Sequence, residues 1–343
     1  MKILVTGGTG YIGSHTVVEL QHAGFEVVIV DNLSNSSADI TDAIEEITGK
    51  KPVLEVFDLI DKKKTSDFFN RHNDVKGVIH FAAKKAVGES VEKPLLYYSN
   101  NIESLVNVME GMIQNNVKHF VFSSSCTVYG QPDKLPVSET APIKKAESPY
   151  GNTKQIAEEI LIDTAKIAAI KVIALRYFNP IGAHESALIG ELPIGIPDNL
   201  LPYVTQTALG IREKLSVFGD DYNTPDGTAI RDYIHVVDLA KAHVIAIERM
   251  IENKMKKNFE VFNLGTGNGY SVLEVINSFE KVSGLKLNYQ IVHRREGDVE
   301  QVWADPSFSN IELGWKAEKG IDEMTESAWK WEQAYRNKIK DKR

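Results

Sequence analysis

Through the first half of the chain, short runs of aliphatic and β-branched residues alternate with stretches whose apolar positions recur every three to four residues. The runs predict strands over 2–6, 25–30, 53–57, 77–81, 118–123 and 171–176. The stretches between them predict helices over 11–23, 38–47, 62–72, 91–115 and 149–168. Strand and helix in alternation predict an α/β fold, a doubly wound parallel sheet with helices on both faces and ligands beyond the carboxyl ends of its strands. After Asn179-Pro180 the pattern changes. Residues 181–202 are rich in Gly, Pro and Asn with little periodicity, which reads as a long functional loop. Beyond it, helices are predicted over 199–209, 240–251, 272–282 and 323–335. The expected division is a doubly wound domain over 1–180 and a smaller mixed α/β domain over 181–343, with some chain crossing between them. Lysine-rich runs at 61–64 and 254–257 read as solvated helix ends, and 338–343 as a frayed tail.

Composition narrows the classes. With 343 residues, 43% hydrophobic and 25% charged, the chain has the make-up of a globular protein with a sizeable core. Cys126 is the single cysteine and cannot form an internal disulfide, so no oxidising compartment is required. No run approaches 18 uninterrupted apolar residues, and the opening apolar run is too short for a signal peptide. A net charge of −8 argues against nucleic acid as the main partner. The expectation is a cytoplasmic protein with neither a nucleic-acid nor a membrane partner.

The strongest local signal is Thr6-Gly7-Gly8-Thr9-Gly10-Tyr11-Ile12-Gly13, between the first predicted strand and the first helix. Glycines at that spacing let the backbone turn tightly, approach a pyrophosphate and pack helix on strand, while the new helix offers free amides to the anion. The fold is then Rossmann-type. The second strand ends in Asp31, where a carboxylate can bond the adenine ribose and repels a 2′-phosphate; no arginine follows in 32–36, so NAD is favoured over NADP. A second signal is Tyr150 and Lys154, four residues apart on one helix face. That spacing is common by chance, but here it follows a strand ending in Ser123-Ser124-Ser125. A free phenol has a pKa of about 10, and neighbouring positive charge favours its phenolate; three units of lowering amount to roughly 4 kcal/mol. With Ser125 holding the substrate hydroxyl, such a site takes a proton from a secondary alcohol as hydride leaves its carbon. Cys126 reads as apolar filler and His80 as a satisfied core histidine. His235 and Asp238 lack a third ligand, so no metal site is expected.

These motifs and others resemble the extended short-chain dehydrogenase/reductases. The matching runs are TGGTGYIGSH from Thr6, KAVGES from Lys85, SSSCTVYG from Ser123, SPYGNTK from Ser148, RYFNPIGAH from Arg176, RDYIHVVDLA from Arg231 and RREGD from Arg294. Together they are similar to the UDP-glucose 4-epimerase family, over nearly the whole chain. The resemblance implies that UDP-glucose and UDP-galactose are interconverted at sugar carbon 4 by tightly held NAD. The catalytic residues it implies are Ser125, Tyr150 and Lys154. On the cofactor side it implies Gly7, Gly10, Tyr11, Ile12, Gly13, Asp31, Asn32, Leu33, Asn35, Ser36, Asp58, Leu59, Phe81, Ala82, Lys85, Asn100, Tyr150, Lys154 and Phe178. On the substrate side it implies Lys85, Ser125, Tyr150, Asn179, Asn199, Leu200, Ser216, Val217, Phe218, Arg231, Tyr233, Arg295, Asp298 and Val302. Read without it, Arg294-Arg295 is a solvated pair. Ala83-Lys84 stand where family members often carry Gly-Leu. Val302, smaller than an aromatic, implies room for an N-acetyl group and hence UDP-N-acetylglucosamine as a further substrate. A UDP-glucuronate 4-epimerase, or another NAD-dependent nucleotide-sugar enzyme, is the alternative. Dehydratases and decarboxylases tend to carry an acid after the catalytic Ser or Thr, where this chain has Cys126 and Thr127. A non-enzymatic NAD sensor would not need the Ser–Tyr–Lys trio. The resemblance also implies a homodimer through the helices of 91–115 and 149–168.

Overall fold

The strands and helices of the first half follow the predicted order: β1 (Lys2–Thr6), α1 (Tyr11–His22), β2 (Glu26–Asp31), α2 (Ile40–Thr48), β3 (Val53–Val56), α3 (Lys62–Arg71) and β4 (Val75–His80). Then come α4 (Val87–Glu92), α5 (Pro94–Gln114), β5 (His119–Ser125), α6 (Pro149–Ile167) and β6 (Lys171–Tyr177). The computed structural model describes residues 1–295 and 299–341. Where one helix was expected over 91–115 there are two. Pro94 has no N–H to continue the earlier turn, so α4 ends at Glu92 and α5 restarts with proline in its first turn.

The second half contributes β7 (Asn179–Ile181), α7 (Leu200–Ala208), β8 (Leu215–Phe218), β9 (Ile230–His235), α8 (Val236–Ile251) and β10 (Phe259–Leu264). It closes with β11 (Gly269–Ser271), α9 (Val272–Ser283), β12 (Tyr289–Val292), β13 (Gln301–Val302) and α10 (Ile321–Asp341). The tail expected to fray from 338 instead continues α10 to Asp341; Lys338 and Lys340 lie in the last turn, where cations favour the helix dipole. Residues 254–257 lie beyond the end of α8 rather than within a helix.

Seven parallel strands form the main sheet in the order β10-β6-β5-β4-β1-β2-β3. Successive side chains face opposite sides, so Ile3, Val5 and Ile29 meet α1, α2 and α8, while Leu4, Val28 and Val30 belong with α3, α5 and α6. Its seventh strand, β10, was not among those predicted and comes from beyond residue 181. With α8 beside α1, a strand and a helix from beyond residue 181 join the layers of the main sheet. A smaller mixed sheet has β9 at its centre, antiparallel to β11 and parallel to β13 and β7, and β8 pairs with β12. Its own core gathers Leu201, Val204, Val217, Phe279 and Trp329. The strand order reverses between β1 and β4, which opens a crevice at their carboxyl ends. Among the described residues, no helix is long and apolar enough to cross a membrane.

Candidate active site

The glycine loop leaves β1 at that crevice. Gly7 has φ +70°, and a Cβ there would lie 2.9 Å from the Ala82 amide nitrogen, so the loop runs against the end of β4. A Cβ on Gly13 would come within 2.2 Å of the Gly7 carbonyl oxygen. Helix α1 starts at Gly10 with no side-chain cap and no acid in its first turn, so its free amides stay open to an anion. Asp31 is buried at the tip of β2, its carboxylate accepting from Thr9 N (3.2 Å), Leu33 N (2.9 Å) and Ser36 Oγ (3.3 Å). Asn32 donates to Asp58 (2.9 Å), and Asn35 is exposed beside them. An uncapped helix start, a cradle that side chains would fill and an acid at the ribose position together fit an NAD-type dinucleotide. Leu59 and Ile12 point their side chains into the two cores flanking the sheet, and Tyr11 donates to the Gly182 carbonyl (2.7 Å). Asn100 is half-buried on α5; its neighbour Asn101, which sequence reasoning missed, bonds both backbone groups of Lys84 and the Thr153 hydroxyl (2.8, 3.0 and 3.1 Å). That ties the loop after β4, with its unusual Ala83-Lys84, to α6.

Ser125 ends β5, and α6 starts at Pro149 with Ser148 as its cap, accepting from Gly151 N (3.1 Å). Tyr150 and Lys154 follow on successive turns, with Lys154 Nζ 5.8 Å from the Tyr150 ring centre. The Lys154 ammonium donates to the Ser123 carbonyl (2.5 Å) and lies 4.8 Å over Phe122. Burial pushes the Tyr150 phenol up to about 12, opposed by a hydrogen bond from Ser125. Burial also pulls Lys154 down to about 8, opposed by the Glu158 carboxylate one turn on. Cys126, beside Ser125, has its thiol pushed up to about 12 by burial, which leaves it inert as a nucleophile. His80 is buried with its Nδ1 2.8 Å from the Thr6 hydroxyl, and burial lowers it to about 3.

The opposite wall comes from the second half. Lys85 reaches Glu191 (3.5 Å), and Asn199 donates to the same carboxylate oxygen (2.5 Å). Glu191 was not predicted; it lies in the aperiodic loop, where nothing in the sequence pattern marks it. Ser216 and Phe218 share one face of β8, while Val217 alternates with them and packs into the core of the smaller sheets, as does Tyr233. Leu200 opens α7 against that core. The Arg295 guanidinium lies 5.8 Å over the Phe218 ring and reaches toward the start of α4, 3.9 Å from where a Gly88 Cβ would be. Arg294 instead pairs with Asp221 (2.7 Å) and stacks on Tyr222 (4.0 Å). Arg231 is half-buried on β9, and its charge acts on Cys126. Asn179 is half-buried on β7, opposite Tyr233 of β9. Phe178, Val302 and Cys126 share a small apolar cluster at the seam between the halves. Asp298 lies outside the described residues.

A family model described as GDP-mannose 4,6 dehydratase matches residues 4–328. The UDP-glucose 4-epimerase of Haemophilus influenzae is 49% identical over 333 residues, covering 97% of each chain, and that of Dictyostelium discoideum is 51% identical over 341, covering 99% of this chain and 98% of the relative. The chain belongs to the UDP-glucose 4-epimerase family. Solved structures of the family superpose over nearly the whole chain. The Stenotrophomonas maltophila epimerase with bound NAD and formylated UDP-arabinopyranose has a TM-score of 0.95 at 47% identity, covering 98% of this chain and 99% of that one. The Bifidobacterium longum epimerase in complex with NAD+ and UDP has a TM-score of 0.93 at 47% identity, with the same coverage. The family fold in this chain therefore includes the seventh strand and α8 that the halves exchange.

Proposed function

We propose that the protein interconverts UDP-glucose and UDP-galactose, with NAD as a resident cofactor. The observation that carries this reading is the meeting of Ser125, Tyr150 and Lys154 at the end of β5, in a chain of the 4-epimerase family. Gly7, Gly10, Tyr11, Ile12 and Gly13 would hold the pyrophosphate, Asp31 the adenine ribose and Lys154 the nicotinamide ribose. When bound, NAD supplies the hydride acceptor and donor for sugar carbon 4 and a positive ring beside the phenol. Tyr150 takes the proton of the 4-hydroxyl, and Ser125 orients that hydroxyl. An ammonium at Lys154, its Nζ 5.8 Å from the Tyr150 ring centre, favours the phenolate on Coulombic grounds. Phe218, Arg231, Arg295 and Asn199 hold the UDP while the keto sugar turns over. Tyr150 then returns its proton to the carbon-4 oxygen as the carbon takes back hydride on its opposite face. Arginine suits the diphosphate because its fork offers paired hydrogen bonds. Cys126 and Thr127, neither an acid, follow Ser125, which speaks against the dehydratase chemistry in the family model's description.

At its own place in the seam cluster Val302 puts an aliphatic side chain rather than an aromatic ring, which supports UDP-N-acetylglucosamine as a second substrate. Incubation with UDP-galactose, UDP-N-acetylgalactosamine and UDP-galacturonate, each followed for its 4-epimer, tests the reading. Conversion of the first two is expected; turnover of galacturonate alone would replace it with the uronate reading. The protein is further proposed to be cytoplasmic and to form a homodimer through α5 and α6. Leu95, Val106 and Ile113 on α5 and Ile167 on α6 are exposed, and light scattering after gel filtration should give twice the chain mass.

A further inference from the structure

Helix α6 carries a third polar residue on the stripe that holds Tyr150 and Lys154. Glu158 follows Lys154 by four residues, and its side chain is 6% exposed. Its carboxylate accepts from Ser124 Oγ (2.5 Å) and Arg176 Nε (2.9 Å), with a second, short bond from Arg176 Nη2. Arg176 Nη1 donates to the Tyr129 hydroxyl (3.0 Å), which donates to Asn263 Oδ1 (2.7 Å), and Asn263 Nδ2 donates to the Val137 carbonyl (2.9 Å). One buried network thus joins α6, β5, β6, β10 and the turn over Cys126–Tyr129.

The place where it grips β5 matters most. Ser124 stands between Ser123, whose carbonyl receives Lys154, and Ser125, which faces Tyr150. Neighbouring side chains on a strand point to opposite faces, so a peg at Ser124 sets the strand's rotation about its own axis. That rotation aims the Ser123 carbonyl and the Ser125 hydroxyl together. Four residues along the helix, the Glu158 carboxylate also acts on the Lys154 ammonium through its charge. From the other packed elements, Lys154 meets neutral His80 on β4 and the Phe122 ring and Ser123 carbonyl on β5, while the Tyr177 hydroxyl of β6 donates to Ser123 Oγ. From α5, Tyr98 and Asn101 meet α6 at Asn152 and Thr153. Arg176 is already paired with Glu158.

We propose that Glu158 is a positioning residue for the reaction, fixing the end of β5 through Ser124 and keeping Lys154 an ammonium. The inference rests on the epimerase reading, so its test reads Lys154 itself. In full-length protein carrying its cofactor and labelled with 15N-lysine, the Lys154 side-chain titration is followed by NMR. Glu158→Gln keeps an acceptor for Ser124 but removes the charge, and the titration is expected to move down by about one pH unit. The high-pH limb of kcat should move down with it. Glu158→Asp restores the charge on a shorter arm; its titration should stay near that of the parent while kcat falls and KM holds. Should Glu158→Gln fail to fold around the unpaired Arg176, the double variant Glu158→Leu, Arg176→Met removes both charges and should still shift the titration down, by less because a cation is lost as well. A folded Glu158→Gln protein whose Lys154 titrates as in the parent overturns the proposal and leaves the pair a structural brace. Loss of epimerisation in Glu158→Gln with an unmoved titration likewise counts against it. A moved titration in a protein that never epimerises would overturn the functional reading instead.

Discussion

Tyr150 sits in surroundings that oppose the state the reaction needs. Burial pushes the phenol up to about 12, and the Ser125 hydrogen bond offsets only part of that. Positive charge must do the rest, which is why Lys154 shares its helix face and why burial of the lysine is itself a hazard. Tyr150→Phe keeps the ring and removes the proton acceptor. Turnover of UDP-galactose should fall by about 10²–10⁴-fold, the usual worth of general acid–base catalysis, while the absorbance of bound NAD is unchanged. Unaltered turnover would take the phenol out of the reaction. Cys126 should stay silent: with its thiol raised to about 12, thiol reagents at neutral pH should modify it slowly.

Two elements place the ligand groups, and each hangs on one residue. The start of α1 is pressed so closely on its own loop that Gly13→Ala puts a methyl 2.2 Å from the Gly7 carbonyl. Such a backbone clash should cost about 1–3 kcal/mol in urea unfolding and release NAD during purification. Strand β9 depends on Asp232, fully buried, whose carboxylate accepts from Thr266 N and Oγ1 (both 2.8 Å), Gly267 N (3.1 Å) and Ala304 N (3.1 Å). Those bonds hold β9, next to Arg231, against the segment after Val302. Asp232→Asn would aim an amide at a donor, so a loss of about 1.5–3 kcal/mol is expected together with a raised KM. Stability without a change in KM would separate the strand from substrate binding.

At the scale of the molecule, the seam between the layers is built with neutral histidines. Burial lowers His15, His80 and His235 to about 3 and His243 to about 4. An unfolded chain titrates histidine near 6.5, so between that value and about 3–4 the unfolded state binds more protons. Their stabilisation is complete above about 6.5 and drains away as pH falls toward the folded values. The melting temperature should therefore drop from pH 7 to pH 5, and His243→Gln should flatten the slope by about one proton. An unchanged slope would show that the histidines do not govern it.

The order of strands and helices through residue 177 was legible because each segment's apolar period is a local property of the chain. So were the glycine loop, Asp31 and the Tyr150–Lys154 spacing, since each sits within one strand–turn–helix unit. Even there, a single proline divided one predicted helix into α4 and α5. What the sequence did not reveal is long-range pairing. Phe259–Leu264 joins the main sheet beside β6 because a strand edge there was free and a crossover helix, α8, covers the same face as α1. Glu191 meets Lys85 from 106 residues away, and Arg176 meets Glu158 across a strand boundary, contacts that carry no local period. Local sequence thus carries the kind of chemistry and the elements that bear it. Only the tertiary structure decided which charges face one another, because that depends on the strand order that burying both faces of the sheet selects.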